Sequence, residues 1–399
     1  MVILGGAGAM AGHMAMDLKE NSRFEEFILA DVRLDLAEKR CEGLGDPRFR
    51  PSLANAGDRS GLASILKGAS VCVNCAQYNH NVSVMEACLQ AKAGYIDLGG
   101  LFHVTLKQKP LHEAFKEAGV PALLGMGSTP GTMNVLARYG VDLLDTVERA
   151  DALCAWIDGG TDQDGLFIPP YALRTIMEEM TEDAWAFEEG EMAPFPAGSG
   201  REMVRFPEPI GCIQVHLCLH SEPATWPVSW EAKGIKGCAF KIGMPPDLLR
   251  KMSFLVRLGF HRKEALADVG PTPPLDFLER LIAHEVKEAK NVPGNEGAPS
   301  GFEVLRARVT GTKDGLRFTH SVDMMAREHS RWRISATTGT PPSIASGYMR
   351  EGRIPPGVWA PEEVIDPVTY FQDLAEREMY VQVETVHEPV AYHQRPVMG

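Results

Sequence analysis

Long hydrophobic runs are missing from this 399-residue chain: no stretch approaches the roughly 18 apolar residues that a membrane-spanning helix requires. The first residues also lack the charged start, apolar core and cleavage site of a secretory leader. Together these absences predict a cytoplasmic protein. Positive charge is in short supply, with 40 basic residues against 53 acidic ones and a net charge of −13. Such a field repels nucleic acid and anionic membrane surfaces, so neither is expected as a partner. Clustered cysteines are absent too: the eight are scattered through apolar segments and should be reduced in a cytoplasm. The one close pair, Cys72 and Cys75, sits three apart on an apparent strand and so points to opposite faces. His216 and His220 have no evident third ligand, and no metal is expected.

What the chain has is ordinary globular composition, 44% hydrophobic and 23% charged, and a length that implies two domains. It also has a notable start. Val2-Ile3-Leu4 is an apolar run that ends in Gly5-Gly6-Ala7-Gly8, and Ala11, Met14, Ala15 and Leu18 follow at helical spacing. This order of strand, tight turn and helix suits a dinucleotide, whose pyrophosphate is met by the unpaired N–H groups of a helix N-terminus. Gly6 is expected to make the turn and Gly8 to let the backbone approach the phosphates, while Ala9 and Met10 open the helix. Ala11 fills the third position of G-x-G-x-x-A. A second apolar run, Phe27 to Ala30, ends in Asp31 at about the spacing, roughly 20 residues, at which a carboxylate binds the ribose hydroxyls. The alternative is an ordinary turn with Asp31 capping the next helix. Asp31 favours NAD, and Arg33, two residues on, leaves NADP possible.

Downstream, strands at Val71–Ala76, Tyr95–Leu98 and Ala122–Met126 alternate with helices at Leu34–Glu42, Ser60–Leu66, Asn81–Ala93 and Leu106–Ala118, the third ended by Gly94. This predicts an α/β fold with a Rossmann-like, doubly wound parallel sheet. Ligands on such sheets sit at the carboxyl ends of the strands. Asp58, Ala76, Gln77 and Leu98 are therefore taken as further cofactor contacts, and Asp97 and Thr129 fall at the same edge. Beyond Val147, prolines and glycines multiply and short β-rich runs appear, which reads as a second α/β domain with a largely antiparallel sheet. Near the end, Thr340 to Gly352 reads as a helix capped by Thr340, with Pro341 and Pro342 in its first turn.

Three segments carry a family likeness: Asp97-Leu98-Gly99-Gly100, Gly127 to Asn134 (with Pro130-Gly131-Thr132-Met133-Asn134), and Ser221-Glu222-Pro223-Ala224-Thr225-Trp226-Pro227. With the late run Gly357 to Glu362, the chain resembles the saccharopine dehydrogenase family, its lysine 6-dehydrogenase members most of all. The resemblance implies a dinucleotide domain made of residues 1–130 and 335–360, a substrate and dimerisation domain over 131–334, and a C-terminal segment over 361–399. It also implies a homodimer and hydride transfer between a nicotinamide cofactor and a C–N bond. Saccharopine reductases carry an acid where this chain has Thr129, which favours a simpler amine. The expected reaction is oxidative deamination of the lysine side chain. The alternatives are a reductase that joins an amine to a carbonyl compound, as in saccharopine or carboxynorspermidine metabolism, and a non-catalytic NAD(H)-binding regulator.

Oxidising an amine requires a base with a pKa near the working pH, which His reaches unaided and a carboxylate reaches when buried. His80, at a strand end, and His220 with Glu222, in the family-like segment, are the candidates. Asp97 serves either as a catalytic group or as a turn carboxylate, and Tyr78 lines the nicotinamide pocket or simply packs there. Thr129 and Asn134 are expected at the substrate, while Lys241 and Arg333 either hold a substrate carboxylate or remain solvated charges.

Overall fold

The computed structural model describes residues 1–157, 171–289, 301–327 and 334–388. Arg333 lies outside them. Six strands open the chain: β1 (Val2–Leu4), β2 (Phe27–Asp31), β3 (Phe49–Leu53), β4 (Val71–Asn74), β5 (Gly94–Asp97) and β6 (Pro121–Leu123). Then come β7 (Thr146–Ile157), β8 (Ala184–Glu188), β9 (Glu191–Phe195), β10 (Glu202–Arg205), β11 (Cys212–Leu217), β12 (Gly237–Gly243), β13 (Phe302–Lys313) and β14 (Leu316–Arg327). The last two are β15 (Gly357–Trp359) and β16 (Tyr380–Glu388).

The first sheet is parallel throughout, in the order β15-β6-β5-β4-β1-β2-β3. Its central strands are apolar because helices cover both faces; Val2, Ile3 and Leu4 of β1 are fully buried. Strand order reverses between β1 and β4, which opens a crevice at their carboxyl ends. The doubly wound parallel sheet expected from the sequence is thus present, and so is the second, largely antiparallel one. That sheet runs β10-β11-β12-β7-β13-β14-β16, with β8 paired to β12 and β9 to β8; among the described residues only the pairing of β12 with β7 is parallel. Asp314-Gly315, both at positive φ (52° and 78°), turn β13 into β14 as the tight two-residue loop of a hairpin demands.

Two strands depart from chain order. β15 joins the first sheet at β6, whereas β16 joins the second at β14. The long helix Ile334–Arg350 packs on Ala9–Asn21. The contact is close at Gly339, where a Cβ would fall 2.6 Å from the Met10 carbonyl oxygen. A buried ion pair, Arg377 to Asp17 at 2.7 Å, ties the C-terminal region to the same first helix.

Three local expectations need correction. The turn after β1 uses Gly5, at φ +71°, and not Gly6. Gly5 presses against the β4 end, where a Cβ would lie 2.8 Å from the Cys75 and Ala76 backbone. The helix Asn81–Ala91 ends on Lys92 in the left-handed region, and Gly94 instead begins β5. The late helix starts at Ile334, so Thr340 is no cap and Pro341 and Pro342 lie inside it. Packing against the first helix outweighs the local preference of proline for a first turn.

Candidate active site between the two sheets

The glycine loop and the loop after β4 flank the crevice. Gly6 lies against β2, where a Cβ would come within 2.9 Å of the Leu29 Cα. Gly8 precedes the helix Ala9–Asn21, whose first turn has neither a side-chain cap nor an acidic residue. Its leading N–H groups therefore lack a side-chain acceptor, which fits an anionic pyrophosphate. Asp31, buried at the end of β2, accepts the Ala7 N–H at 3.0 Å and the Arg33 N–H at 2.9 Å. It braces the loop. Ala76 donates its N–H to Asn74 at 3.1 Å, and Gln77 and Leu98 follow the ends of β4 and β5. Asp58 is exposed and caps the helix Arg59–Leu66 through Ser60 at 3.1 Å.

Across the crevice from the ends of β4, β5 and β6 stand the helices Glu222–Ser229 and Leu173–Thr181 of the second sheet's domain. Glu222, fully buried at the first position of its helix, joins the two sides. Its Oε1 accepts the Thr129 hydroxyl at 2.5 Å, and its Oε2 binds Nδ1 of His220. His220 follows β11 rather than lying on it, and its ring stacks on Phe240 of β12 at 3.9 Å between centroids. Burial disfavours the imidazolium, but the Glu222 charge and hydrogen bond, with Glu179 behind them, outweigh it and hold the imidazole above its usual value.

Glu178 and Glu179 are buried neighbours on Leu173–Thr181. Tyr78 donates its hydroxyl to Glu178, whose other oxygen meets the Lys263 ammonium at 2.7 Å. Tyr171 donates to Glu179. Burial pushes the Glu179 carboxyl up to about 7, against the lowering pull of His220 and of the Tyr171 hydrogen bond. Tyr78 also packs with Leu219 and Ala224, on either side of the His220–Glu222 pair in sequence.

Of the residues expected at the site, the structure brings together Tyr78, Thr129, His220 and Glu222. Asp97 is elsewhere occupied: fully buried, it accepts Gly99 N–H (2.8 Å), Gly125 N–H (2.7 Å), Tyr95 hydroxyl (2.9 Å) and Gln108 amide (2.6 Å). It fixes the turn after β5 against β6. Asn134 is buried between Gly131 and Glu362. His80 precedes the helix Asn81–Ala91 beside Gly57. Lys241 adjoins Phe240 and so points to the opposite face of β12, where it pairs with Glu202 at 2.8 Å.

The residues not anticipated are Glu178, Glu179 and Tyr171. A signal existed in Ile176-Met177-Glu178-Glu179-Met180, where two acids sit among apolar residues with no neighbouring base.

The comparisons with known proteins assign the chain to the NAD(P)-dependent dehydrogenases. Residues 1–123 match the family model of the saccharopine dehydrogenase NADP binding domain, the likeness that the sequence motifs led one to expect. Over nearly the full length the chain is similar to two curated proteins. Carboxynorspermidine synthase of Vibrio alginolyticus is 25% identical, covering 93% of this chain and 92% of the relative. Carboxyaminopropylagmatine dehydrogenase of Synechocystis is 23% identical, covering 93% and 94%. Saccharopine dehydrogenase (L-Glu forming) from Saccharomyces cerevisiae shares the fold, with a TM-score of 0.71 at 14% identity over 96% of this chain and 99% of that one.

Proposed function

We propose that the protein is a reductase that joins an amine of the polyamine class to a carbonyl compound, forming a secondary amine. The observation that carries this reading is the pair of buried carboxyls, Glu179 and Glu222, that act on His220, an acidic surround suited to a cationic amine. The two curated relatives are named for carboxyl-bearing derivatives of norspermidine and agmatine, which supports the same substrate class.

An ammonium must lose a proton before its nitrogen attacks a carbonyl carbon, and His220, oriented by Glu222, is the base. The Thr129 hydroxyl fixes the second oxygen of Glu222. The amine nitrogen bonds to the carbonyl carbon, and the carbonyl oxygen leaves as water after taking the proton held by His220 and a second from the nitrogen. When bound, the reduced nicotinamide supplies the hydride that turns the resulting C=N bond into a secondary amine. Glu179 and Glu222 favour positive charge on a substrate close to His220. In the glycine loop, Gly8, Ala9 and Met10 would hold the pyrophosphate, and the anchored Asp31 would favour NAD over NADP.

The same residues serve a second reading, removal of the lysine side-chain amine as ammonia. Thr129 favours it, because saccharopine reductases carry an acid at that position and this chain lacks it. Following the absorbance of reduced cofactor with carbonyl compounds, and with either polyamines or ammonium chloride as the nitrogen source, tests both. Turnover that requires an organic amine supports the proposal; turnover with ammonia alone overturns it in favour of deamination.

A further inference from the structure

The run Gly357 to Glu362 ends in a carboxylate that is only 2% exposed and holds two separate elements. Its Oε2 accepts the Asn134 amide at 2.7 Å, on the helix Thr132–Asp142. Its Oε1 accepts the Ser229 hydroxyl at 3.0 Å, at the last position of the helix Glu222–Ser229. Arg138, also on the first of these helices, donates to the Glu362 carbonyl at 2.8 Å.

Each grip leads back to the site. Asn134 uses its own Oδ1 to accept the Gly131 N–H at 2.9 Å, which fixes the chain two residues after Thr129. Gly131 has no slack there: its φ is +125°, and a Cβ would fall 2.2 Å from the Gly127 carbonyl oxygen. Ser229 ends the eight-residue helix that begins with Glu222, so holding one end sets the position of the other. Thr129 and Glu222 meet across the boundary between the sheets at 2.5 Å, and one buried carboxylate braces both sides of that contact.

We infer that Glu362 is a positioning residue for the reacting pair: by clamping the helix behind Thr129 and the helix that carries Glu222, it sets the Thr129–Glu222–His220 alignment. The inference rests on the proposed role of His220, but the alignment itself can be read without turnover. Such a clamp must be rigid, because a hydrogen bond is lost over a few tenths of an ångström. A carboxylate suits the task, since its two oxygens accept from two donors at once and bonds to a charged acceptor are the stronger ones.

The test uses the full-length protein, with Glu362→Ala, Glu362→Gln and Ser229→Ala. The His220 imidazole, assigned by its loss in His220→Asn, is titrated by NMR without substrate. The groups that face it, Glu222 and Glu179, are unchanged in every variant. In Glu362→Ala the His220 titration should move down towards that of a free histidine. Glu362→Gln, which keeps an acceptor for Ser229, should restore most of it, and Ser229→Ala should shift it less in the same direction. Where the protein turns over, kcat should fall about tenfold in Glu362→Ala with little change in KM, and adding Thr129→Val should cost little more. A lowered melting temperature with an unmoved His220 titration, or losses from Glu362→Ala and Thr129→Val that simply multiply, would overturn the assignment. Should Glu362→Ala fail to fold, an unmoved titration in Ser229→Ala does the same. Absence of turnover with a shifted titration would count against the function proposed above and leave the clamp standing.

Discussion

Replacing Glu179 with Gln should stabilise the protein, and increasingly so as the pH rises. Glu179 is fully enclosed and titrates near 7 in the fold against an ordinary value of 4.5. Between those two values the unfolded chain has given up the proton while the folded one retains it. The folded state therefore binds more protons, and its stability declines as pH climbs through this window. At about 1.4 kcal/mol for each pH unit the full decline is about 3 kcal/mol, complete somewhat above pH 7. A glutamine still accepts the Tyr171 hydroxyl and carries no charge, so the decline disappears. Removing Glu179 also weakens the support for protonated His220, whose raised titration lowers stability as pH rises, so both effects flatten the profile in the same sense. Equilibrium urea unfolding of both proteins at about pH 5 and about pH 8 should show the variant's advantage growing by about 2.5 kcal/mol, the rest of the decline falling below pH 5. Curves that stay parallel would refute the claim that this carboxyl is raised by burial.

Thr129→Val removes the hydroxyl that Glu222 accepts at 2.5 Å; kcat should drop about tenfold, and the acidic limb of the pH–rate profile should move, as bonds to charged groups contribute about 1.5–3 kcal/mol. Gly6→Ala forces a methyl to 2.9 Å from the Leu29 backbone, so dinucleotide affinity in a calorimetric titration should fall together with melting temperature. Asp31→Ser removes the charge opposed to a 2′-phosphate and should shift the ratio of initial rates from NADH towards NADPH; an unchanged ratio would show that Asp31 only braces the loop. Asp323→Ala leaves the buried guanidinium of Arg306, now paired at 2.7 Å, without its carboxylate, and should cost about 3–5 kcal/mol in urea unfolding.

Much of this was legible in the chain itself. The glycine-terminated run Val2 to Leu4 and the carboxylate closing Phe27 to Ala30 identified strand, turn and helix, because those elements depend on neighbours a few residues apart. The assignment of the turn to Gly6 failed because both candidate glycines are adjacent, and only the approach of β4 distinguishes them. Thr340 misled for a related reason: threonine followed by two prolines is a strong local start signal, overridden here by a helix more than three hundred residues away in sequence. His220 and Glu222 were found through a short motif, and their role as a hydrogen-bonded pair is consistent with spacing alone. Glu178 and Glu179 were hidden because burial of an acid is a tertiary fact. Asp97 offered either a turn or a catalytic role from its neighbours in sequence, and the four donors around it come from residues as distant as Gly125.

The late arrival of β15 and β16 bears on how the chain must be made. While a ribosome is still adding residue 350, β6 and β14 each present an unclosed row of backbone donors and acceptors. Both sheets are capped only by the last forty or so described residues, one strand apiece. A nascent chain stalled before that point would carry two sticky margins at once, so vectorial synthesis exposes this protein to misassembly right up to its final stretch.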